Sequence, residues 1–314
     1  MGKNLKKVIF SFILLAAVIV VSPKDAKAAG KVWMAGFTDN SITVQWSPQT
    51  MNGYRIDGYY LEEVGTQRVV WQGSADATQA TIQATKGYSG TVRLGYNLTS
   101  LTTGKTYNWP IDRVEVNTTP ADLTKNNFGI TAAYPNIKKA AFAVNKPTTA
   151  TGVQLEVYNG KNKKVLSRTA TYMGYESMNV SKDMAYKYRA RYYYTNKSNN
   201  QTYYGNWSDY RYFAMPSISG KTTNKKKGIK VVLKKGTGIK QYTVSVSKNS
   251  KSGFKKVKTV KVSKKKSYSF QITKNGKKKF KKGTYYVQVA PKVKFGNKTY
   301  SSDVSTVASV YVYK

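Results

Sequence analysis

The sequence contains no cysteine and no histidine, and only 14 of its 314 residues are acidic. Without histidine there is no imidazole general base and no Ser-His-Asp triad. Without cysteine there is no thiol nucleophile, no disulfide and no thiolate metal ligand. Catalysis would have to depend on scarce carboxylates together with lysine, tyrosine, serine and threonine.

Long hydrophobic runs are also scarce, and the one present lies near the N-terminus. Three lysines precede the uncharged segment Val8–Val21, and Ala26–Ala28 form a small-x-small cleavage site. The run is shorter than the ~20 residues that span a bilayer. We therefore predict a cleaved signal peptide over residues 1–28, with an uncleaved anchor as the alternative. A secreted protein with no membrane span after cleavage is expected, extracellular or cell-wall associated. An exported chain without cysteine favours a Gram-positive source.

Proline is rare, with 8 residues, against 26 tyrosines and 24 glycines, a balance that favours β structure. The 40% hydrophobic content is enough to build packed cores, so the chain is not disordered.

Short segments with alternating apolar and polar residues recur along the chain, which is typical of strands with one buried face. Their order repeats three times, with six or seven segments in about 95 residues each, as in a β-sandwich. Examples are Ile42–Trp46, Val92–Leu98, Val153–Val157, Tyr186–Tyr192, Tyr242–Val246 and Tyr285–Val289.

We predict an all-β fold of three tandem immunoglobulin-like β-sandwich modules after the signal peptide. The modules cover residues 29–117, 118–216 and 217–314. Their boundaries lie near Asn117–Pro120 and Met215–Gly220, where the sequence is polar or contains proline.

One motif carries a resemblance to a known family. Tyr186-x-Tyr188-x-Ala190-x-Tyr192, followed by the segment Tyr204–Tyr210, resembles the last two strands of a fibronectin type III domain. Segment Lys282–Val289 repeats the pattern in the third module, and Trp46 occupies the place of that family's core tryptophan. The resemblance implies adhesion or spacing, and rarely catalysis. Lysine-rich tandem modules of this kind also resemble extracellular domains of Gram-positive surface proteins.

Positive charge rises steeply along the chain. Residues 29–117 carry 7 basic and 7 acidic side chains, residues 118–215 carry 14 and 5, and residues 216–314 carry 27 and 1. A module with so large a net charge repels itself and attracts polyanions.

All basic residues of the third module are lysines, which suit diffuse attraction to phosphate but not the reading of bases. We expect an anionic cell-wall polymer of the teichoic acid type as the partner, and no sequence-specific nucleic acid. Nucleic acid bound without sequence preference, or a host glycosaminoglycan, would satisfy the same physics. Alternatively, the lysines provide only solubility and protection of sheet edges. The candidate polyanion-binding residues are Lys225, Lys226, Lys227, Lys264, Lys265, Lys266, Lys277, Lys278, Lys279, Lys281 and Lys282.

Arg189, Arg191 and Trp207 form a second candidate cluster. The two arginines share one face of a strand, and a neighbouring strand would place the indole between them in a cation–π stack. This arrangement resembles the Arg/Trp ladder of fibronectin-like receptor modules. We interpret it as structural, with a ligand-stacking face as the alternative.

Two further groups of residues are candidate sites. Surface aromatics would serve simply as good strand formers, or alternatively would stack on sugar rings, as in glycan-binding proteins. A glycosidase needs paired carboxylates, but Glu62 and Glu63 are adjacent on a strand and so point to opposite faces. The aromatic candidates are Tyr193, Tyr203, Tyr204 and Trp109, and the carboxylates are Asp57, Glu62 and Glu63.

Together these features predict a secreted, non-catalytic surface protein without cofactor or metal. Its basic third module would bind wall polymer by electrostatic attraction. The alternatives are an accessory or inhibitor protein that recognises a protein partner through the first module, and a plain spacer. A protein or glycan partner therefore stays open.

Overall fold

A computed structural model describes residues 19–20, 32–134, 138–171, 176–223 and 228–313. All regular elements in these ranges are β-strands, so the predicted all-β fold is confirmed. The same ranges contain no helix of the length and apolarity needed to cross a membrane. The predicted signal peptide lies outside the described residues, apart from the two-residue strand β1 (Ile19–Val20).

The chain divides into two compact units. The first unit comprises Met1–Pro120 and Thr195–Tyr203, and the second comprises Ala121–Tyr194 and Tyr204–Lys314. The predicted boundary at 216/217 therefore lies inside the second unit, and the three-module division stays a prediction.

The first unit contains a sandwich of two antiparallel sheets. Trp46 of one sheet is buried against Tyr59 and Trp71 of the other, with ring centres 5.4 and 5.5 Å apart. Gly95 leaves room for the ring of Tyr60, since a Cβ there would lie 2.2 Å from that ring. One sheet has the strand order β1, β2 (Val32–Phe37), β3 (Ser41–Trp46), β6 (Gln79–Gln83). The other sheet has the order β5 (Arg68–Ser74), β4 (Tyr54–Glu63), β7 (Ser89–Ser100), β8 (Thr106–Asn117).

Segment Thr195–Tyr203 completes the first unit. The Asn196 side chain is fully buried and donates to the Glu115 carbonyl (3.0 Å) and to the Asn117 side chain (3.1 Å). Tyr203 packs edge-on against Phe37, with ring centres 4.8 Å apart.

The second unit begins with a sandwich whose two sheets enclose one core. Phe142 of the first sheet and Leu155, Tyr188 and Phe213 of the second are all buried in it. The first sheet has the order β13 (Glu176–Asn179), β10 (Lys139–Val144), β9 (Phe128–Tyr134). The other has β12 (Lys164–Ala170), β11 (Gly152–Asn159), β14 (Ala185–Asn196), β15 (Gln201–Tyr204), with β16 (Arg211–Ala214) also paired to β14. The end of β14 and most of β15 belong to segment Thr195–Tyr203, which is counted in the first unit.

The third sandwich follows in the same unit, and its core includes Val231, Tyr242, Val244 and Val287. One sheet has the order β17 (Ile218–Thr223), β18 (Gly228–Lys234), β21 (Ser267–Ile272). The other has β20 (Lys255–Lys261), β19 (Ile239–Ser247), β24 (Gly283–Phe295), β25 (Lys298–Ser301), with β26 (Thr306–Val312) paired to β24. A small hairpin joins β22 (Lys274–Asn275) to β23 (Lys278–Lys279).

The three sandwiches share one connectivity. In the described strands, the first, second and fifth main strands form one sheet, and the third, fourth, sixth and seventh form the other. The repeat predicted from alternation is therefore visible in the order of strands. The opening strands β2, β9 and β17 were missed, because segments such as Ile218–Thr223 (Ile-Ser-Gly-Lys-Thr-Thr) lack alternating apolar residues.

The second and third sandwiches are joined through buried and paired side chains, and we call this region the junction. Asp303 accepts hydrogen bonds from the Tyr188 hydroxyl (2.7 Å) and from Arg211 Nε (3.0 Å). The rings of Tyr212 and Tyr300 stack at 3.8 Å. The fully buried Ala214, from the second sandwich, belongs to the core of the third. These contacts explain why the two sandwiches form one compact unit.

Replacing Asp303 with Asn should destabilise the second unit by about 1–3 kcal/mol, because Arg211 and Tyr188 lose a charged acceptor. Chemical denaturation would measure this loss. Asp209→Asn, at an exposed position in the second sandwich, removes the same charge and serves as the control. Equal effects of the two variants would show that the Asp303 network does not stabilise the junction.

Candidate functional sites

Strand β14 carries the predicted cation–π cluster on the face opposite the core. The guanidinium carbons of Arg189 and Arg191 lie 4.3 and 4.4 Å from the Trp207 ring centre. The three residues come together because the period of the strand places both arginines on one face. Trp207 was predicted on a neighbouring strand, but it lies in the segment between β15 and β16. Both of these strands pair with the edge of β14 opposite β11, and the segment between them runs along that edge.

The stack extends beyond the residues predicted from sequence. Arg191 also lies 4.2 Å from the Tyr204 ring centre, and Arg189 lies 5.1 Å from that of Tyr210. On the other side of Tyr210, the Lys187 ammonium is 4.4 Å from the ring centre. Cations and rings thus alternate, and we call these six residues the ladder: Lys187, Tyr210, Arg189, Trp207, Arg191 and Tyr204.

The neighbouring strand β11 supplies polar partners for the ladder. Glu156 is paired in register with Arg189 and accepts from its Nε (3.1 Å) and Nη2 (2.9 Å). It also accepts from Tyr158 (2.9 Å) and from the Lys164 ammonium. Burial alone would raise the pKa of Glu156, but the hydrogen bonds from Lys164, Arg189 and Tyr158 outweigh it and lower the pKa to about 2.

The partners of the ladder favour the structural interpretation. Rings lie over both arginines, Glu156 accepts from Arg189, and Gln154 accepts from Arg191 Nε at 2.8 Å. Both arginines therefore already have partners within the fold. Sequence reasoning missed Glu156 and Gln154, although both stand at the outward positions of an alternating strand.

The aromatic residues considered for glycan binding lie in different environments. Tyr193 and Tyr203 are only 7% and 8% exposed, so their interpretation as surface platforms was wrong. Tyr193 is covered because Gly152 allows its ring to lie directly against the backbone. Tyr204 is 42% exposed but has Arg191 on its ring. Trp109, on β8, is 53% exposed.

The candidate carboxylates are all engaged with neighbouring side chains. Asp57 pairs with Arg55 (2.6 Å) and Glu62 with Arg93 (2.5 Å). A hydrogen bond from Thr99 and another from Arg55 lower the pKa of Asp57. Hydrogen bonds from Thr66 and Tyr88 lower the pKa of Glu63. A general acid needs a raised pKa, so these environments oppose that role. Within the described ranges, no group of three or more acidic residues is placed to hold a metal ion.

The predicted lysine runs do not share one location. Lys225, Lys226 and Lys227 lie outside the described residues. Lys264, Lys265 and Lys266 follow β20 and precede β21. Lys277, Lys278, Lys279, Lys281 and Lys282 lie in or beside the β22–β23 hairpin, just before β24 begins.

Strand direction places these two groups at opposite ends of the third sandwich. The Thr237 carbonyl accepts from the backbone N–H of Ala185, in the second sandwich, at 2.9 Å. Strand β19 begins just after Thr237, so the first residue of β19 lies at the junction between the two sandwiches. Strand β20 runs antiparallel to β19, so Lys264–Lys266 follow it at that same end. The hairpin lies beyond the other end of β19, and nine residues of strand separate the ends by about 30 Å.

The described lysines of the third sandwich have almost no acidic partners. Asp303 is the one carboxylate side chain of residues 216–314, and it pairs with Arg211. The five hairpin lysines and Lys264–Lys266 are exposed, and no ion pair is seen for them in the part of the chain described. Their charge is therefore directed to solvent.

Comparisons with known proteins give structural neighbours alone. No protein-family model and no curated protein sequence matches the chain. One similar solved structure is that of the chicken CNTN1 FN1–FN3 domains, with 13% identity, a TM-score of 0.32, and coverage of 91% of this chain and 98% of that one. Another is the central fibronectin-III array of RIM-binding protein, with 12% identity, a TM-score of 0.23, and coverage of 88% and 94%. Because both TM-scores are below 0.5, the fold assignment rests on the sheets and cores described above.

Glu156→Gln should make stability less dependent on pH. Because the folded pKa is about 2 and the ordinary value is 4.5, the carboxylate stabilises the fold fully above pH 4.5, and this stabilisation is lost as the pH falls toward 2. The free energy of unfolding of the variant should therefore lie below that of wild type by up to about 3 kcal/mol at pH 7.

Denaturant titrations at pH 7, 4 and 2.5 would measure the gap between the two proteins, which should narrow as the pH falls. Asp209→Asn provides the control for a general loss of negative charge. A gap that stays constant with pH would contradict the role assigned to Glu156.

Proposed function

We propose that this chain is a secreted, non-catalytic surface protein whose third sandwich binds an anionic polymer of the cell wall. Arrays of fibronectin-like sandwiches commonly serve as adhesion or spacer modules. The single observation that supports the electrostatic role is the ratio of 27 lysines to 1 acidic residue in residues 216–314. The one acidic residue, Asp303, is already paired at the junction.

The type of basic residue supports a polymer with repeated negative charges. Lysine carries a compact, hydrated charge and does not present the planar fork with which arginine binds carboxylate or phosphate. Many such charges on one sandwich favour an extended polyanion, whose bound counterions are released on binding. Teichoic acid, a phosphate-rich wall polymer, has this chemistry. The predicted signal peptide and the absence of cysteine support export to a Gram-positive surface.

A second function is favoured by one feature of the first sandwich. Its strands β7 and β8 and the turn between them expose Leu101 (69%), Tyr107 (43%) and Trp109 (53%). The module has no net charge. Exposed aromatic residues are enriched in protein interfaces. The alternative function is therefore an accessory or inhibitor protein that recognises a protein partner through this sandwich, while a plain spacer would need neither surface.

Retention of the full-length chain on purified wall polymer should depend steeply on salt. If 6–10 phosphates of a single flexible chain are contacted, affinity should fall by about 300-fold or more between 50 and 200 mM salt. A neutral dextran matrix is the control. Binding that does not change with salt, or equal retention on dextran, would contradict the proposal.

Two matched variants would locate the binding charges. Truncation at residue 216 is unsuitable, because it would expose the shared residues Ala214 and Tyr212. Instead, five exposed lysines are changed to Gln in either sandwich. The third-sandwich set should lose more affinity and show a shallower salt slope. The sets are Lys256, Lys261, Lys264, Lys265 and Lys266 in the third sandwich, and Lys138, Lys139, Lys161, Lys163 and Lys182 in the second.

A further inference from the structure

A cavity of about 690 Å³ lies at the end of the third sandwich that faces away from the junction. It is formed where β19 ends and where β20 and β24 begin, with the β22–β23 hairpin on one side. Six lysines from separate parts of the fold contribute to its walls. The lining residues are Lys248, Lys255, Lys277, Lys278, Lys279 and Lys281, together with Asn275, Gly276 and Tyr285.

Local structure determines how the hairpin lysines are presented. Gly276 has a φ of 63°, which the two-residue turn between Asn275 and Lys278 requires. Phe280 is buried and packs edge-on against Tyr285, with ring centres 4.6 Å apart. This packing fixes the chain after the hairpin, while the flanking Lys279 and Lys281 stay exposed.

The cavity concentrates positive charge without neutralising it. All six lysines are exposed, and none forms an ion pair with a carboxylate within the residues that the structure describes. Lys248 lies 5.7 Å from the Tyr285 ring centre, and Lys255 lies against the hairpin glycine. Ammonium groups lining one concave space repel one another, so a multiply charged anion placed among them would relieve that repulsion.

The lining also restricts the class of anion. The volume is far larger than a single phosphate group, which favours several consecutive charges. The aromatic ring in the lining, Tyr285, is only 2% exposed and so offers no face on which a base could stack. Proteins that bind single-stranded nucleic acid use exposed aromatic rings for this purpose. The chemistry of the cavity fits a flexible phosphate chain without bases.

We propose that this cavity binds consecutive phosphate groups of a linear polyol-phosphate polymer, and that it forms the preferred contact of the third sandwich with such a polymer. The inference rests on the proposed function and gives it a location. It distinguishes the cavity lysines from Lys264–Lys266, which lie at the opposite end and do not line the cavity.

Two triple variants of the full-length chain test this proposal: K277Q/K278Q/K279Q and K264Q/K265Q/K266Q. Both remove three exposed charges from the same sandwich, so diffuse attraction would weaken equally in both. At 150 mM salt, the affinity for a purified glycerol-phosphate polymer should fall at least about five-fold more in K277Q/K278Q/K279Q than in K264Q/K265Q/K266Q. The arginine variant K277R/K278R/K279R should restore binding, and unchanged denaturation midpoints would show that all variants are folded.

The outcomes separate the two proposals. Equal losses in the two triple variants would overturn the cavity as a preferred site while leaving electrostatic binding intact. No binding of wild type to any anionic polymer would overturn the proposed function and the cavity proposal with it. A thymidine oligonucleotide of equal phosphate number should bind no tighter than the glycerol-phosphate polymer. Much tighter binding of the oligonucleotide would show that bases are recognised and would overturn the proposed ligand class.

Discussion

The junction between the second and third sandwiches depends on one carboxylate, that of Asp303. Asp303 is the one acidic residue among residues 216–314, and it accepts from Tyr188 and Arg211 of the preceding sandwich. Its charge therefore stabilises the junction and neutralises none of the lysines of its own sandwich. In the proposed function, an external anion is the counterpart of this exposed positive charge. Under that proposal, stability and binding use separate groups.

In the second sandwich, by contrast, basic residues have partners within the fold. Arg189 and Arg191 lie between aromatic rings, and Glu156 and Gln154 occupy their hydrogen-bonding groups. These cations stack with rings on the outer face of a sheet, and both arginines donate to side chains of the neighbouring strand. Neighbouring sandwiches in one compact unit therefore show that the number of basic residues alone does not indicate a binding surface. What matters is whether partners for each cation are already present in the fold.

Alternation along the strands was enough to predict the all-β fold and the shared face of Arg189 and Arg191, because both depend on the period of single strands. The places of Trp46 and Trp207 were inferred with the help of the resemblance to fibronectin type III domains. Exposure of Tyr193 and Tyr203 was predicted wrongly, because Gly152 and Phe37, distant in sequence, cover their rings. The positions of the lysine runs at opposite ends also depend on strand direction, which alternation does not report. The sequence pattern thus did not report contacts between distant segments or the direction of the strands.

The shared junction also has an evolutionary consequence. Ala185 and Ala214 are fully buried and belong to the core of the following sandwich, so separating the two sandwiches would expose apolar surface on both. Recombination that moved one of them alone into another gene would produce a protein prone to aggregate. Duplication or domain shuffling should therefore preserve both sandwiches together.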